Sequence, residues 1–322
     1  AKQQQKSSIM YYENKIKVID RVAIVTPTEE ISYAEMLENI RLFARYTPEQ
    51  KEAKTIVFAE NSVEWIYSFF SIWQNKGIAI PVDASSTVDD VAYILNDARP
   101  EAIWVSGQTE KTARQAIEKA GVDTVVLRMD DLSGLAAHAE TKETGISFED
   151  SDVCVILYTS GTTGFPKGVM LTFKNLLVNI DAISCKEVPI FNKNSSTLIL
   201  LPLHHVMPLV GTLVAPIFSE SQVVLCPTMS GPDIMASLQR GKVTIMVGVP
   251  RLWQTLYNGI KKKIDESALA STLYKLCEKV GSYGFSKKVF ASVHKKLGGH
   301  LIYCVSGGAA LDKEIGDGMK TL

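Results

Sequence analysis

The sequence predicts an α/β protein built from mostly parallel sheets covered by helices. Three observations carry that prediction. Short apolar, β-branched runs alternate with helix-length stretches from about residue 22 to residue 305, the pattern of repeated strand–helix–strand units. Several of these runs, Ile78–Val82 and Val153–Leu157 among them, lack charge and read as buried strands. At 322 residues the chain buries a large core and exceeds one typical domain.

Taken in order, residues 1–20 form an N-terminal segment, polar and Gln/Lys-rich at its start, whose readable signal is a short amphipathic helix. Val22–Val25 and the turn Thr26–Glu30 predict a strand and a hairpin. Ser32-Tyr-Ala-Glu35 fits a capping box opening a helix to about Arg45. Thr55–Phe58 reads as a strand, Val63–Asn75 as a helix and Ile78–Val82 as the next strand. A third unit follows: helix 88–96, strand 102–105, helix 109–119 and strand 124–127. Between Asp130 and Asp152 the composition turns polar, as a connector between lobes does. That predicts a first α/β subdomain over 21–150 and a second over 151–322. In the second, Thr172 caps a helix to about Ile183. Strands are expected at 197–201, 222–225, 243–247 and 300–305, with helices at 207–218, 232–239 and 250–264. Residues 266–300 read as helical and surface-facing.

Charge narrows the function classes. Lys and Arg number 34 against 35 Asp and Glu, so no basic surplus argues for nucleic acid. The five cysteines show no C-x-x-C pairing; Cys154, Cys226 and Cys304 sit at or beside apolar runs, which predicts buried free thiols in a reducing cytoplasm. Leu198–Ile217 carries no charged residue over twenty positions, long enough to cross a bilayer. Three prolines and the pair His204–His205 within it argue instead for a buried strand, a turn and a core helix.

The chemistry concentrates after Val153–Leu157. That run empties into Thr159, Ser160, Gly161, Thr162, Thr163 and Gly164, a segment with no bulky or charged side chain. The glycines permit backbone angles that let successive N–H groups curl around one anion. The hydroxyls add donors and Lys167 adds a compact positive charge, completing the parts of a polyphosphate cradle. The common NTPase phosphate loop has a second glycine before its lysine and Ser/Thr after it. Here those places hold Pro166 and Gly168, so a generic kinase or GTPase is disfavoured.

Tyr158-Thr-Ser-Gly-Thr-Thr-Gly-Phe-Pro-Lys-Gly168 resembles the signature of the adenylate-forming enzymes: acyl-CoA synthetases, peptide-synthetase adenylation domains and luciferases. Asn61-Ser-Val-Glu-Trp65, Gly77–Val82 and Ile31-Ser-Tyr33 are weaker landmarks of the same family. The resemblance implies a layered αβαβα arrangement, as in the large N-terminal domain of these enzymes. It also implies a reaction, in which a carboxylate attacks the α-phosphorus of ATP, pyrophosphate leaves, and a thiol, often of CoA, takes the acyl group. By it, Thr159 to Gly164 and Lys167 bind the β- and γ-phosphates, with Thr159 turned also toward Mg²⁺.

Leu201-Pro-Leu-His-His-Val206 is similar to the family's L-P-L-aromatic-H segment and puts His205 where carboxylate and α-phosphate meet. His204 stands in the place of the aromatic, and reads as a packing residue at a strand end. Ser306–Leu311 resembles the G-G-A-P-L segment, so Gly307, Gly308 and Ala309 are expected against adenine, with Ala310 replacing the proline. Gly248–Tyr257 resembles the V-P-x-x-W segment of long-chain acyl-CoA synthetases, which implies that Trp253 borders a fatty-acid tunnel. Leu252, Trp253, Leu256 and Ile260 also make an ordinary core face of a helix.

The family's peptide-synthetase members usually hold an Asp near this segment to pair an amino group; none is present in Leu200–Leu213, so the resemblance favours an acid lacking an α-amine. The resemblance therefore points to long-chain fatty acid, ATP and CoA as small-molecule substrates. Carrier-protein, aryl- or short-chain acid ligation, or a non-catalytic nucleotide-binding fragment, are the alternatives. It leaves room for peripheral membrane contact and for a homodimer. The chain reaches Leu322 before the family's Y-G-x-T-E segment and its small C-terminal domain, which is expected of a fragment that does not turn over alone.

Overall fold

The computed structural model describes residues 9–11, 16, 19–133, 135, 147–159, 166–185 and 187–322. In chain order the strands are β1 (Ile9–Tyr11), β2 (Val22–Val25), β3 (Glu30–Ser32), β4 (Lys54–Phe58), β5 (Ile78–Val82), β6 (Ala102–Val105) and β7 (Val125–Arg128). Then come β8 (Ser147–Glu149), β9 (Val153–Thr159), β10 (Lys167–Thr172), β11 (Ser196–Ile199), β12 (Gln222–Leu225), β13 (Ile245–Gly248) and β14 (Tyr303–Ser306). They form two six-stranded sheets, β10-β9-β5-β4-β6-β7 and β14-β13-β11-β12-β2-β3, beside a β1–β8 ribbon. Within the six-stranded sheets pairing is parallel except at the β9–β10 and β2–β3 hairpins.

Strand alternation sorts the core into layers. On β4, Val57 faces inward while Ile56 and Phe58 face outward; on β12, Val223 and Leu225 face inward and Val224 outward. The inner faces share one core with helices α1 (Tyr33–Ala44), α2 (Val63–Gln74) and α5 (Phe173–Ser184). Helices α3 (Val88–Ala98) and α4 (Glu110–Ala120) cover the outer face of the first sheet. Helices α7 (Gly231–Arg240), α8 (Pro250–Asp265) and α9 (Ala268–Val280) cover that of the second. This is the expected αβαβα stack.

Local chemistry sets the helix starts. Capping boxes join Ser32 to Glu35, Thr87 to Asp90 and Thr172 to Asn175, each satisfying orphan N–H groups that the helix itself leaves unpaired. Leu198–Ile217 becomes the end of β11, a turn and a helical run, α6, made of Val206–Pro208, a π-helical Leu209–Val214 and Ala215–Phe218. Pro216 has no N–H to close an α-turn onto Thr212, which favours the wider π winding there. Among the described residues no helix is long and apolar enough to cross a membrane.

Four details differ from expectation. Ile9–Tyr11 is a strand paired with β8, where a short helix was expected. Lys167–Thr172 is also a strand, an exposed sheet edge that shows no buried apolar run to announce it. Cys304 is exposed rather than buried, because β14 is the edge of its sheet. Residues 266–300 are helical, as α9, α10 (Tyr283–Val289) and α11 (Ala291–Lys296), but they bury Tyr274, Cys277 and Phe290 instead of only facing solvent. The sheets also interleave in sequence: β9 and β10 complete the first, whereas β2 and β3 join the second. Residue 150 is therefore not a sheet boundary.

Candidate active site

The C-terminal ends of strands from both sheets meet across one gap, where open parallel α/β sheets place their ligands. A cavity of about 450 Å³ lies there, bounded by Tyr158 and Thr159 at the end of β9, His204, His205 and Met207 beyond β11, and Gly308 beyond β14. Three of the expected segments thus converge. Ser160, Gly161, Thr162, Thr163 and Gly164 lie outside the described residues. The root of their loop is described, with Thr159 directly opposite Lys167 in the β9–β10 register and both exposed.

That root is braced from α3. The Tyr93 hydroxyl donates to the Pro166 carbonyl at 3.0 Å, and the Tyr158 hydroxyl donates to Asp97 at 2.6 Å. Gly168 sits opposite Tyr158, and a Cβ there would lie 2.9 Å from Ile156 Cγ2 and 3.2 Å from the Tyr158 ring. The glycine after the lysine therefore serves close packing of the hairpin.

On the far wall, the imidazoles of His204 and His205 lie 4.1 Å apart, centroid to centroid. His204 Nε2 is 3.7 Å from Asp83, which follows β5, and His204 is half-buried while His205 is exposed. Burial first, and then the neighbouring His205, pull the His204 imidazole below its ordinary value, against the pull of Asp83. Partial burial pushes Asp83 up, but hydrogen bonds from Ser85 and the two imidazoles hold it below the usual carboxylate range. Both depressions act in the same sense. For His204 the stabilising contribution is present above about pH 6.5 and is lost as the pH falls through the lowered folded value; Asp83 loses its contribution only in the carboxylate range. His204→Phe is expected to flatten the melting temperature between about pH 7 and 5. A thermal-melt series with the slope of the parent protein would contradict this.

Gly308, next to Gly307, and Val249 form the remaining wall. The Gly307 N–H donates to the Gly248 carbonyl at 3.1 Å, and a Cβ on Gly307 would lie 2.2 Å from Met207 Sδ. Gly308 has φ +80°, a left-handed conformation natural to glycine, while Ala309 beside it is exposed. Met207 was not expected from sequence, yet it touches both the glycine turn and the cavity. With Val206 it also bounds a second, apolar cavity of about 390 Å³ walled by Leu176, Phe191 and Val247.

Trp253 is not brought to this place. It is 2% exposed on the buried side of α8, against the outer face of the second sheet and packed on Gly248. It bounds a different cavity, of about 550 Å³, with Cys304 and Ser306 on the outer side of β14. Asn61 is a site neighbour that sequence reasoning treated only as a landmark: its side chain bonds the backbone of Leu201 and Leu203 beneath the histidines. A polar residue just past a buried strand's C-terminal end was the available signal.

The fold and the cavity define a layered α/β protein with a cavity at its strand ends, one wall formed at the end of β9 and one by the paired imidazoles. The chain belongs to the AMP-binding enzyme family, whose profile matches residues 13–322. It is 27% identical to "Long chain acyl-CoA synthetase 8" of Arabidopsis thaliana, over 88% of this chain and 46% of the relative. It is 28% identical to "Long-chain-fatty-acid--[acyl-carrier-protein] ligase AEE15, chloroplastic" of the same plant, over 80% of this chain and 40% of the relative. Among solved structures, apo MatB from Rhodopseudomonas palustris superposes with TM-score 0.72 at 21% identity, covering 95% of this chain and 56% of MatB. The chain spans about half the length of the curated relatives it matches.

Proposed function

We propose that the whole protein activates a long-chain fatty acid with ATP and passes the acyl group to CoA. The carboxylate oxygen attacks the α-phosphorus, the bond to pyrophosphate breaks, and the thiol sulfur then displaces AMP from the acyl-adenylate. The observation that carries this reading is the convergence of Thr159, His205 and Gly308 on one cavity that adjoins an apolar one at Met207. Lys167 and the loop rooted at Thr159 neutralise the departing pyrophosphate, where preorganised donors are most effective. His205 orients the carboxylate, and the Gly307–Ala309 turn offers flat backbone to adenine.

Among the described residues no group of three His, Cys, Asp or Glu comes together to hold a metal. Mg²⁺ fits as an ion carried on the phosphates, with Thr159 as a protein oxygen, in keeping with its preference for phosphate and water. When bound it would supply charge neutralisation. We place the acyl chain in the cavity behind Met207, since that cavity shares Val206 and Met207 with the His205 site. The cavity beside Trp253 is the competing location.

Acid-dependent ATP–pyrophosphate exchange by the full-length protein, over fatty acids of graded length, tests the reading; absence of exchange with all of them would sink it. Lys167→Ala is expected to weaken ATP binding by roughly 10- to 100-fold, the worth of a charge-assisted contact. Unchanged affinity by calorimetry would remove that role. A Trp253→Ala variant with altered chain-length preference would move the acyl chain to the outer cavity. Transfer to a carrier protein is the second reading, favoured by the similarity to the chloroplast ligase; acceptor competition decides between them.

A further inference from the structure

The turn carrying both histidines has little to hold it from within. β11 ends at Ile199, Pro202 has no N–H, and the backbone bond across the turn, His205 N–H to the Pro202 carbonyl, is 3.4 Å long. Asn61, on the loop after β4 of the other sheet, supplies what the turn lacks. Its Nδ2 donates to the Leu201 carbonyl at 2.9 Å and its Oδ1 accepts from the Leu203 N–H at 3.1 Å. Both ends of one amide are thus used on the two residues flanking Pro202. His205 itself is exposed and packs on the His204 ring, so its location follows from the backbone beneath it.

We propose that Asn61 is a positioning residue for His205, acting through the Leu201–His205 turn. Its two hydrogen bonds set where the imidazole stands relative to the loop rooted at Thr159, and they do so from the sheet that carries that loop. The two walls of the site are registered to each other by this side chain rather than by a contact between the catalytic groups. A misplacement of about 1 Å in such a group costs up to roughly 100-fold in rate. Only the catalytic arm of the test rests on the acid-activation reading.

The test compares Asn61→Ala and Asn61→Asp with the parent full-length protein, labelled at histidine Cε1 for NMR. In Asn61→Ala the His204 and His205 resonances are expected to shift, while those of His294 and His300 stay in place. Exchange should fall about 10- to 100-fold in kcat with KM for ATP unchanged. Asn61→Asp keeps the acceptor for Leu203 and loses the donor to Leu201, so an intermediate rate supports the proposal; it also decides the matter should the alanine variant not fold. His204 and His205 resonances identical to the parent's overturn it. So does a shift of those resonances with kcat unchanged, or a uniform loss of stability with all four resonances moved alike. A parent protein inactive on every acid would overturn the functional reading, and the resonances would still decide whether Asn61 holds the turn.

Discussion

Trp73→Ala is expected to lower the stability by about 3–5 kcal/mol, the range for deleting a fully buried large aromatic. Trp73 on α2 is fully buried and packs against Phe69 at 4.7 Å, Phe70 at 5.6 Å, Phe173 at 5.1 Å and Phe218 at 6.3 Å, centroid to centroid. Those rings belong to α2 itself, α5 and the end of α6, so the indole joins three helices of the central layer. Its Nε1 also donates to the Cys154 carbonyl on β9 at 2.8 Å. Truncation opens a cavity and removes the bond to that carbonyl, and both losses are contained in that range. Trp73→Phe separates them: the ring contacts largely persist and the lost hydrogen bond alone costs about 0.5–1.5 kcal/mol. Guanidinium unfolding followed by circular dichroism measures both, and an alanine variant within about 1 kcal/mol of the parent would refute the assignment. Because β9 ends at Thr159, the alanine variant should also weaken ATP binding before it unfolds.

His205→Ala is expected to leave the fold intact and to reduce ATP–pyrophosphate exchange by about 100- to 1000-fold, the loss typical of removing one preorganised donor from a reacting centre. The imidazole is exposed at the rim of the cavity, so little packing is lost with it. Its effect should lie in kcat for the acid-dependent step, with ATP affinity preserved, because Thr159, where the proposed phosphate-binding segment begins, stands on the opposite wall. Equal losses in ATP affinity and rate would place His205 on the phosphates instead. His204→Ala makes the natural comparison: it removes a half-buried ring held near Asp83, and should cost stability as well as rate.

Much of this architecture was readable before any coordinates. Apolar runs and capping boxes name their own elements, since Ser32–Glu35, Thr87–Asp90 and Thr172–Asn175 each encode a local bond. The end of β9 at Thr159, where the expected phosphate-binding segment begins, was likewise readable, because the apolar run Val153–Leu157 announces that strand. What escaped was relational. β10 is an exposed edge whose strand character comes from pairing with β9 rather than from its own residues. Asn61 lies about 140 positions from the backbone it holds, and nothing local to it announces that partner. Trp253 satisfied a motif and a core face equally well; its burial against Gly248 on the sheet's outer side was decided by which face of β13 α8 covers.

The interleaving of the two sheets has a consequence for how the molecule is made. β2 pairs in parallel with β12, Ile24 beside Val223, so this strand has its partner about two hundred residues later in the chain. The first sheet has all its strands once β10 is synthesised; the second cannot take in β2 and β3 until β12 arrives. Such distant pairings are slow, because loop closure is entropically opposed before any contact rewards it. Through that interval the apolar Val22–Val25 segment, already made and paired on one side with β3, leaves its other edge open in a half-built protein, the kind of surface that recruits chaperones or other nascent chains. The arrangement that brings two sheets' ends together around one cavity thus leaves the β2–β3 hairpin waiting for a strand made much later.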